Sequence, residues 1–194
     1  YLIKHDLSKN GHNLEIEILN AMPSFTREMA SIVNGQQSSI DTNILLIGAG
    51  ALGSQLLINL VRMGVGQWTI VDEDCLLPHN LARHALPGFF IGFAKSEKLA
   101  EMANSIIQGK AIAKAMNVNV LHPHNQVDVL NKTFREAQVI IDISTSLPVA
   151  RYLARDAAGT ARRISAYLNP AGRDVVILAE DEKRKNTLDC LEMQ

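Results

Sequence analysis

The sequence predicts an α/β protein, a doubly wound and mostly parallel sheet with helices on both faces. Three observations carry this. The short apolar runs "NILLIG", "QWTIVD" and "AQVIID" each end in glycine or aspartate, as strands buried on both faces do. Helix-length amphipathic stretches separate them, and connections of that length mean crossovers and parallel pairing. Finally, a "GAGALG" loop stands between the first run and the helix after it.

Taken in order, residues 1–41 read as a lead-in. "LEIEIL" (Leu14–Leu19) alternates as a half-buried strand does, and "SFTREMASIV" reads as a short helix with Ser24 as N-cap. "NGQQSSID" is a polar linker. The main domain, 42–194, opens with the strand "NILLIG". The helix "SQLLINLVRMG" then places Leu56, Leu60 and Met63 on one face and stops at Gly64. "QWTIVD" is the second strand. A helix from Lys95 to Ile107 turns Leu99, Met102, Ala103 and Ile106 inward, and Met116–Leu121 is a third strand. "AQVIID" is the fourth, "PVARYLARDAAGT" a further helix, and "RISAYL" and "RDVVILAE" later strands.

The 194 residues are 47% hydrophobic and 20% charged, with formal net charge -1. That suits a core-bearing domain and offers no basic surface for nucleic acid or an anionic membrane. Thr42–Val61 holds twenty uncharged residues, but its glycines break it into strand, loop and helix rather than a membrane span. Cys75 and Cys190 form no CxxC or disulfide framework, which points to a reducing, cytoplasmic setting. A chain that opens at Tyr1 reads as part of a longer one, cut short at its C-terminus as well.

"GAGALG" supplies Gly48, Gly50 and Gly53 in GxGxxG spacing. The turn wants positive φ, the second glycine lets a phosphate reach backbone N–H groups, and the helix N-terminus adds positive potential. Asp72 closes the next strand, where a carboxylate can accept hydrogen bonds from a ribose. A Rossmann-like dehydrogenase needs no more than that. "VDEDCLLPHNLARHALPGFFIGFAK" (Val71–Lys95) goes on to supply Asn80, Arg83 and Lys95. A forked guanidinium, a mobile ammonium and a neutral amide suit a triphosphate whose charge must be gathered while a phosphoryl bond breaks.

With these residues the sequence resembles the ThiF/MoeB adenylyltransferases, the fold of ubiquitin-activating enzymes. The pattern runs through GxGxxG, a "GVG" turn (Gly64–Gly66), Asp-x-Asp (Asp72, Asp74), Asn-x-x-Arg (Asn80, Arg83) and a helix-opening lysine (Lys95). The resemblance implies that Gly48, Gly50 and Gly53 hold ATP and Asp72 its ribose. Asn80, Arg83 and Lys95 would handle the triphosphate, with Asp74 on the same rim. It implies attack by a C-terminal carboxylate on the α-phosphorus, the usual substrate being a ubiquitin-like or sulfur-carrier-like protein ending in Gly-Gly. It also implies a homodimer in which an N-terminal arginine completes the partner's site, and Arg27 is the only arginine before the glycine loop. The wording "HNLARH" is most similar to the bacterial branch fused to ubiquitin-conjugating-like or JAB-peptidase-like domains.

The chain departs from that pattern in places. The second acid of the family's Asp-x-x-Asp is Thr145, so either Asp142 or Asp74 must help hold Mg2+, or the ATP phosphates mainly hold it; Asp142 is the expected ligand. Two cysteines cannot build a four-thiolate zinc site, so no zinc is expected. Cys190 reads as a buried helix cysteine, and neighbouring carboxylates disfavour Cys75 as a nucleophile. His122 and His124 read as loop residues, and His79 and His84 as surface histidines beside the phosphate site. Three other readings stay open: adenylation of a modified tRNA nucleoside or a peptide, a non-catalytic scaffold subunit, and an NAD-dependent oxidoreductase.

Overall fold

Side-chain alternation in β1 (Ile40–Ile47) puts Ile44 and Leu46 on one face and Leu45 and Ile47 on the other, and all four are buried. A strand that is apolar on both faces belongs in the middle of a sheet, and β1 is there. The structure, a computed structural model, describes residues 22–193; the strand expected at Leu14–Leu19 lies outside them. Before β1 comes α1 (Arg27–Val33). After it follow α2 (Ala51–Arg62), β2 (Val65–Val71), α3 (Lys95–Ile106), β3 (Ala113–Met116), α4 (Val127–Glu136) and β4 (Val139–Asp142). The chain continues through α5 (Leu147–Arg155), β5 (Arg162–Leu168), β6 (Val175–Ala179) and α6 (Leu188–Glu192).

The six strands lie in the order β3-β2-β1-β4-β5-β6. The first five run parallel, and β6 pairs antiparallel with β5. One core layer packs Leu57, Ile58 and Val61 of α2 and Leu99 and Ala103 of α3 on Ile44, Leu46, Trp68 and Ile70. The other packs Leu130 and Phe134 of α4 and Val149 and Leu153 of α5 on Leu45, Ile47, Val71 and Ile140. Each Leu, Ile, Val or Phe among these contributes about 1.5–3 kcal/mol by leaving water. The fold is thus the doubly wound sheet with helices on both faces.

Several local readings shift. Thr26, not Ser24, caps α1: its Oγ1 accepts the Met29 N–H at 3.3 Å, because Phe25 packs against the core and the helix starts only after it. In α2 the buried residues are Gly53, Ser54, Leu57, Ile58 and Val61, with Leu56 and Leu60 at the flank. Gly53 lies against the Gly48 carbonyl and Ser54 takes the Ala85 N–H, and these two contacts set the phase of the whole helix. Ala100 joins Leu99 and Ala103 on the buried face of α3, whereas Met102 and Ile106 are only partly covered. β3 is Ala113–Met116 rather than Met116–Leu121. Asn119 accepts the Leu121 and His122 N–H groups on its own side chain and so turns the chain out of the sheet. Cys190 is exposed, and Leu188 is the residue α6 buries.

Candidate active site

The strand order reverses at β1, whose neighbours β2 and β4 leave in opposite directions. Loops at such a switch point diverge and open a crevice at the carboxyl ends of the strands. Here the glycine loop after β1 meets residues 143–146 after β4. A cleft of about 580 Å³ forms there, lined among others by Gly48, Gly50, Asp72, Asp74, Arg83 and Lys95. A second concavity of about 420 Å³, at the amino halves of β1–β3, contains none of these residues.

The three glycines differ in task. Gly48 holds φ +93°, and a Cβ there would lie 2.7 Å from the Ser144 amide nitrogen, so it lets the two loops touch. At Gly53 a Cβ would lie 2.1 Å from the Gly48 carbonyl oxygen, so this glycine closes the loop onto its helix. Gly50 has no such neighbour within 4 Å and leaves open space where a phosphate can approach the backbone.

Asp72 is more deeply involved in the fold than a ribose ligand needs to be. Its Oδ2 accepts the Ala49 N–H at 2.6 Å and its Oδ1 the Asp74 N–H at 2.8 Å. Burial pushes its carboxyl above the usual range, against the pull of those two amides and of Lys95. Lys95, the first residue of α3, is 7% exposed, and its Nζ donates to Asp74 Oδ2 at 2.8 Å. The Lys95 N–H reaches the Asp74 carbonyl, and Ser96 Oγ the Asp72 carbonyl, which clips α3 to the end of β2. Asp74 and Lys95 therefore meet as an ion pair in the cleft. Arg83 is exposed and also lines the cleft, with its carbonyl accepting from Gln55 Nε2 at 3.3 Å. Asn80 stands outside the lining: its Oδ1 accepts the Leu77 N–H and caps the short 3-10 turn of Pro78–Ala82.

Asp142 closes β4 beneath the cleft, 3% exposed, its Oδ1 accepting the Ser144 N–H. Burial raises its carboxyl pKa, opposed by Ser144. Among the described residues no three His, Cys, Asp or Glu side chains converge on a metal position. Asp142 is not among the residues that line the cleft, so it could serve a magnesium ion only as one donor beside phosphates and water. Thr145 lines the cleft at φ +56°, a conformation β-branched residues rarely adopt.

His84 is the residue whose role the sequence concealed. It is neither on the surface nor in the cleft lining but buried at 7% exposure. Its Nε2 lies 2.7 Å from the Ala49 carbonyl oxygen, and its Nδ1 accepts the Leu86 N–H at 3.0 Å. Ser54 Oγ accepts the Ala85 N–H at 3.1 Å, so residues 83–86 are stapled along the start of α2. The available signal was its position directly after Arg83 and before the apolar Ala85-Leu86. Arg27 lies elsewhere: its guanidinium is held by Asp41 at 3.1 Å and the Ile40 carbonyl at 2.9 Å, where β1 begins.

A cleft at a parallel-sheet switch point, lined by a glycine loop, Asp72, Arg83 and Lys95, is the form of site that nucleotide-binding α/β domains present. The chain belongs to the ThiF family, which it matches over residues 25–182. It is 37% identical over 111 residues to the ATP-dependent ubiquitin transferase-like protein Cap2 of Enterobacter hormaechei, covering 57% of this chain and 18% of that protein. It is 32% identical over 136 residues to the adenylyltransferase and sulfurtransferase MOCS3 of Arabidopsis thaliana, covering 70% of this chain and 26% of that one. The chain thus spans about a quarter or less of these two relatives. The crystal structure of E. coli MccB with ATP superposes with a TM-score of 0.53 at 19% identity, over 66% of this chain and 38% of the other. At that identity the likeness shows the fold. No helix of the described residues is long and apolar enough to cross a membrane.

Proposed function

We propose that the protein adenylates the C-terminal carboxylate of a ubiquitin-like or sulfur-carrier-like protein ending in Gly-Gly, using ATP. One observation carries the reading: the buried Lys95 and the exposed Arg83 line the same cleft as Gly48, Gly50 and Asp72. A dehydrogenase has no use for two cations there, and a scaffold subunit gives no reason to keep them. The named relatives, a ubiquitin transferase-like protein and an adenylyltransferase and sulfurtransferase, support a protein acceptor.

In the proposed step an oxygen of the acceptor carboxylate attacks the α-phosphorus, and the bond from phosphorus to the bridging oxygen breaks. That oxygen leaves with the electron pair as pyrophosphate. The attacking carboxylate is already anionic, so no proton needs removing. What must be stabilised is charge moving onto the leaving group, which is the task of Lys95 and Arg83. For Lys95 to do this its ammonium exchanges Asp74 for phosphate oxygens. Asp72 takes the ribose with the lone pairs its two amide donors leave free, and the Gly50 N–H meets phosphate. Asn80 joins once its side chain leaves the Leu77 amide. Magnesium would be held by Asp142 together with the phosphates, and supplies charge neutralisation. The proposal includes a homodimer and a cytoplasmic setting. Incubation with ATP and a Gly-Gly-ending protein, followed by mass spectrometry, tests it: an acceptor heavier by AMP is expected, and no AMP adduct under any nucleotide condition contradicts it.

A further inference from the structure

His84 has both ring nitrogens engaged by backbone in a site with almost no solvent. A carbonyl only accepts and an amide N–H only donates. The Ala49 carbonyl and the Leu86 N–H can therefore be satisfied together by one species alone, the neutral imidazole with its proton on Nε2. The Ala49 carbonyl belongs to the same peptide plane as the Gly50 N–H. Peptides are planar, and among the described residues none is cis, so the two groups point in opposite directions. A carbonyl held toward His84 thus turns the Gly50 N–H away from it. On its other side Ala49 is held through its own N–H by Asp72.

We propose that His84 is a positioning residue that aims the Gly50 N–H at the nucleotide phosphate and ties that aim to Arg83, its chain neighbour. This rests on the reading that the cleft takes ATP. The neutral ring sets one spacing for both phosphate-contacting parts, the loop and the arginine arm. Protonation places a hydrogen on Nδ1 against the Leu86 N–H, breaks that bond and loosens the arm. The charged groups facing the ring are Lys95, from the start of α3, and Asp72, from the end of β2; α2 presents the neutral Ser54 and Gln55. Burial first, and then the charge of Lys95, hold the ring pKa below its usual value, while the Ala49 bond and Asp72 oppose them.

Three variants separate the two bonds. His84→Gln can reach the Ala49 carbonyl with its amide, His84→Asn can accept only from Leu86, and His84→Ala does neither. ATP affinity is measured by calorimetry from pH 5 to 8, with ring-nitrogen NMR of the nucleotide-free protein reading the tautomer. The expected wild-type ring is neutral and carries its proton on Nε2. His84→Asn and His84→Ala should lose ATP affinity by on the order of a hundredfold at pH 7.5, the scale of a misplaced contact, with His84→Gln restoring most of it. The wild-type to His84→Gln affinity ratio, which cancels titration of ATP itself, should fall as His84 protonates. A flat ratio, a proton on Nδ1, or wild-type affinity in His84→Asn would overturn the proposal. Should the wild type bind no ATP at any pH, the nucleotide reading fails and Gly50 amide exchange decides the clamp. Faster exchange in His84→Asn than in His84→Gln upholds it, and equal rates overturn it.

Discussion

Replacing Lys95 separates catalysis from folding, because its ion pair is one-sided. The ammonium is buried at 9% side-chain exposure, while its partner Asp74 is 66% exposed. In Lys95→Met the apolar stem stays packed and Asp74 returns to water. The folding cost is then that of a partly solvated pair, about 0–1 kcal/mol. For a domain of this size that is a fall in Tm of about 2–4 °C at most. The catalytic cost is of another order. A cation that follows charge onto pyrophosphate acts mainly in the transition state, and losing one such contact is typically about 3 kcal/mol, roughly a hundredfold in rate. Steady-state pyrophosphate exchange with calorimetric ATP binding on the same preparation checks this. Turnover should fall roughly a hundredfold while affinity for ATP falls far less. Near-normal turnover would reduce Lys95 to a tether for Asp74 and favour the scaffold reading.

Other outcomes follow from the same geometry. Gly50→Ala should melt as the wild type does yet lose ATP affinity, since its Cβ would meet only open space in the loop. Gly53→Ala should lose about 2 kcal/mol on chemical denaturation because its Cβ meets the Gly48 carbonyl. Asp142 has a raised pKa in the fold, so its charged form is penalised and its contribution worsens as pH rises past the unfolded value of about 3.9. Asp142→Asn should therefore raise Tm at pH 7, with the gain vanishing below about pH 4, and melts across pH test this. Glu180 is fully buried and accepts the Arg163 and Leu188 N–H groups and the Arg184 guanidinium. Glu180→Gln should cost about 3 kcal/mol in a urea titration.

What could be read in advance was what is encoded locally. "NILLIG" and "QWTIVD" carry their burial in their own letters, and the spacing of glycines and Asp72 survives any choice of helix phase. The phase itself did not, because α2 is rotated by the contacts of Gly53 and Ser54 with loop backbone, which no hydrophobic periodicity records. β3 was displaced for a similar reason: Val118 and Val120 are buried although they lie in a turn held by Asn119. Within the cleft, the meeting of Arg83, Lys95, Asp72 and the glycine loop was legible from chemistry and order. The stance of Asn80 and the inward one of His84 were not, since each is settled by backbone partners, the Leu77 amide for one and the Ala49 carbonyl and Leu86 amide for the other.

The central claim is that this cleft joins AMP to a protein carboxylate, and ATP–pyrophosphate exchange tests it most directly. With radiolabelled pyrophosphate, label should enter ATP only when a protein ending in Gly-Gly is present, and should stop when its terminal carboxylate is amidated. Exchange at the same rate without any acceptor, or none with any Gly-Gly protein while ATP binds normally, would contradict it.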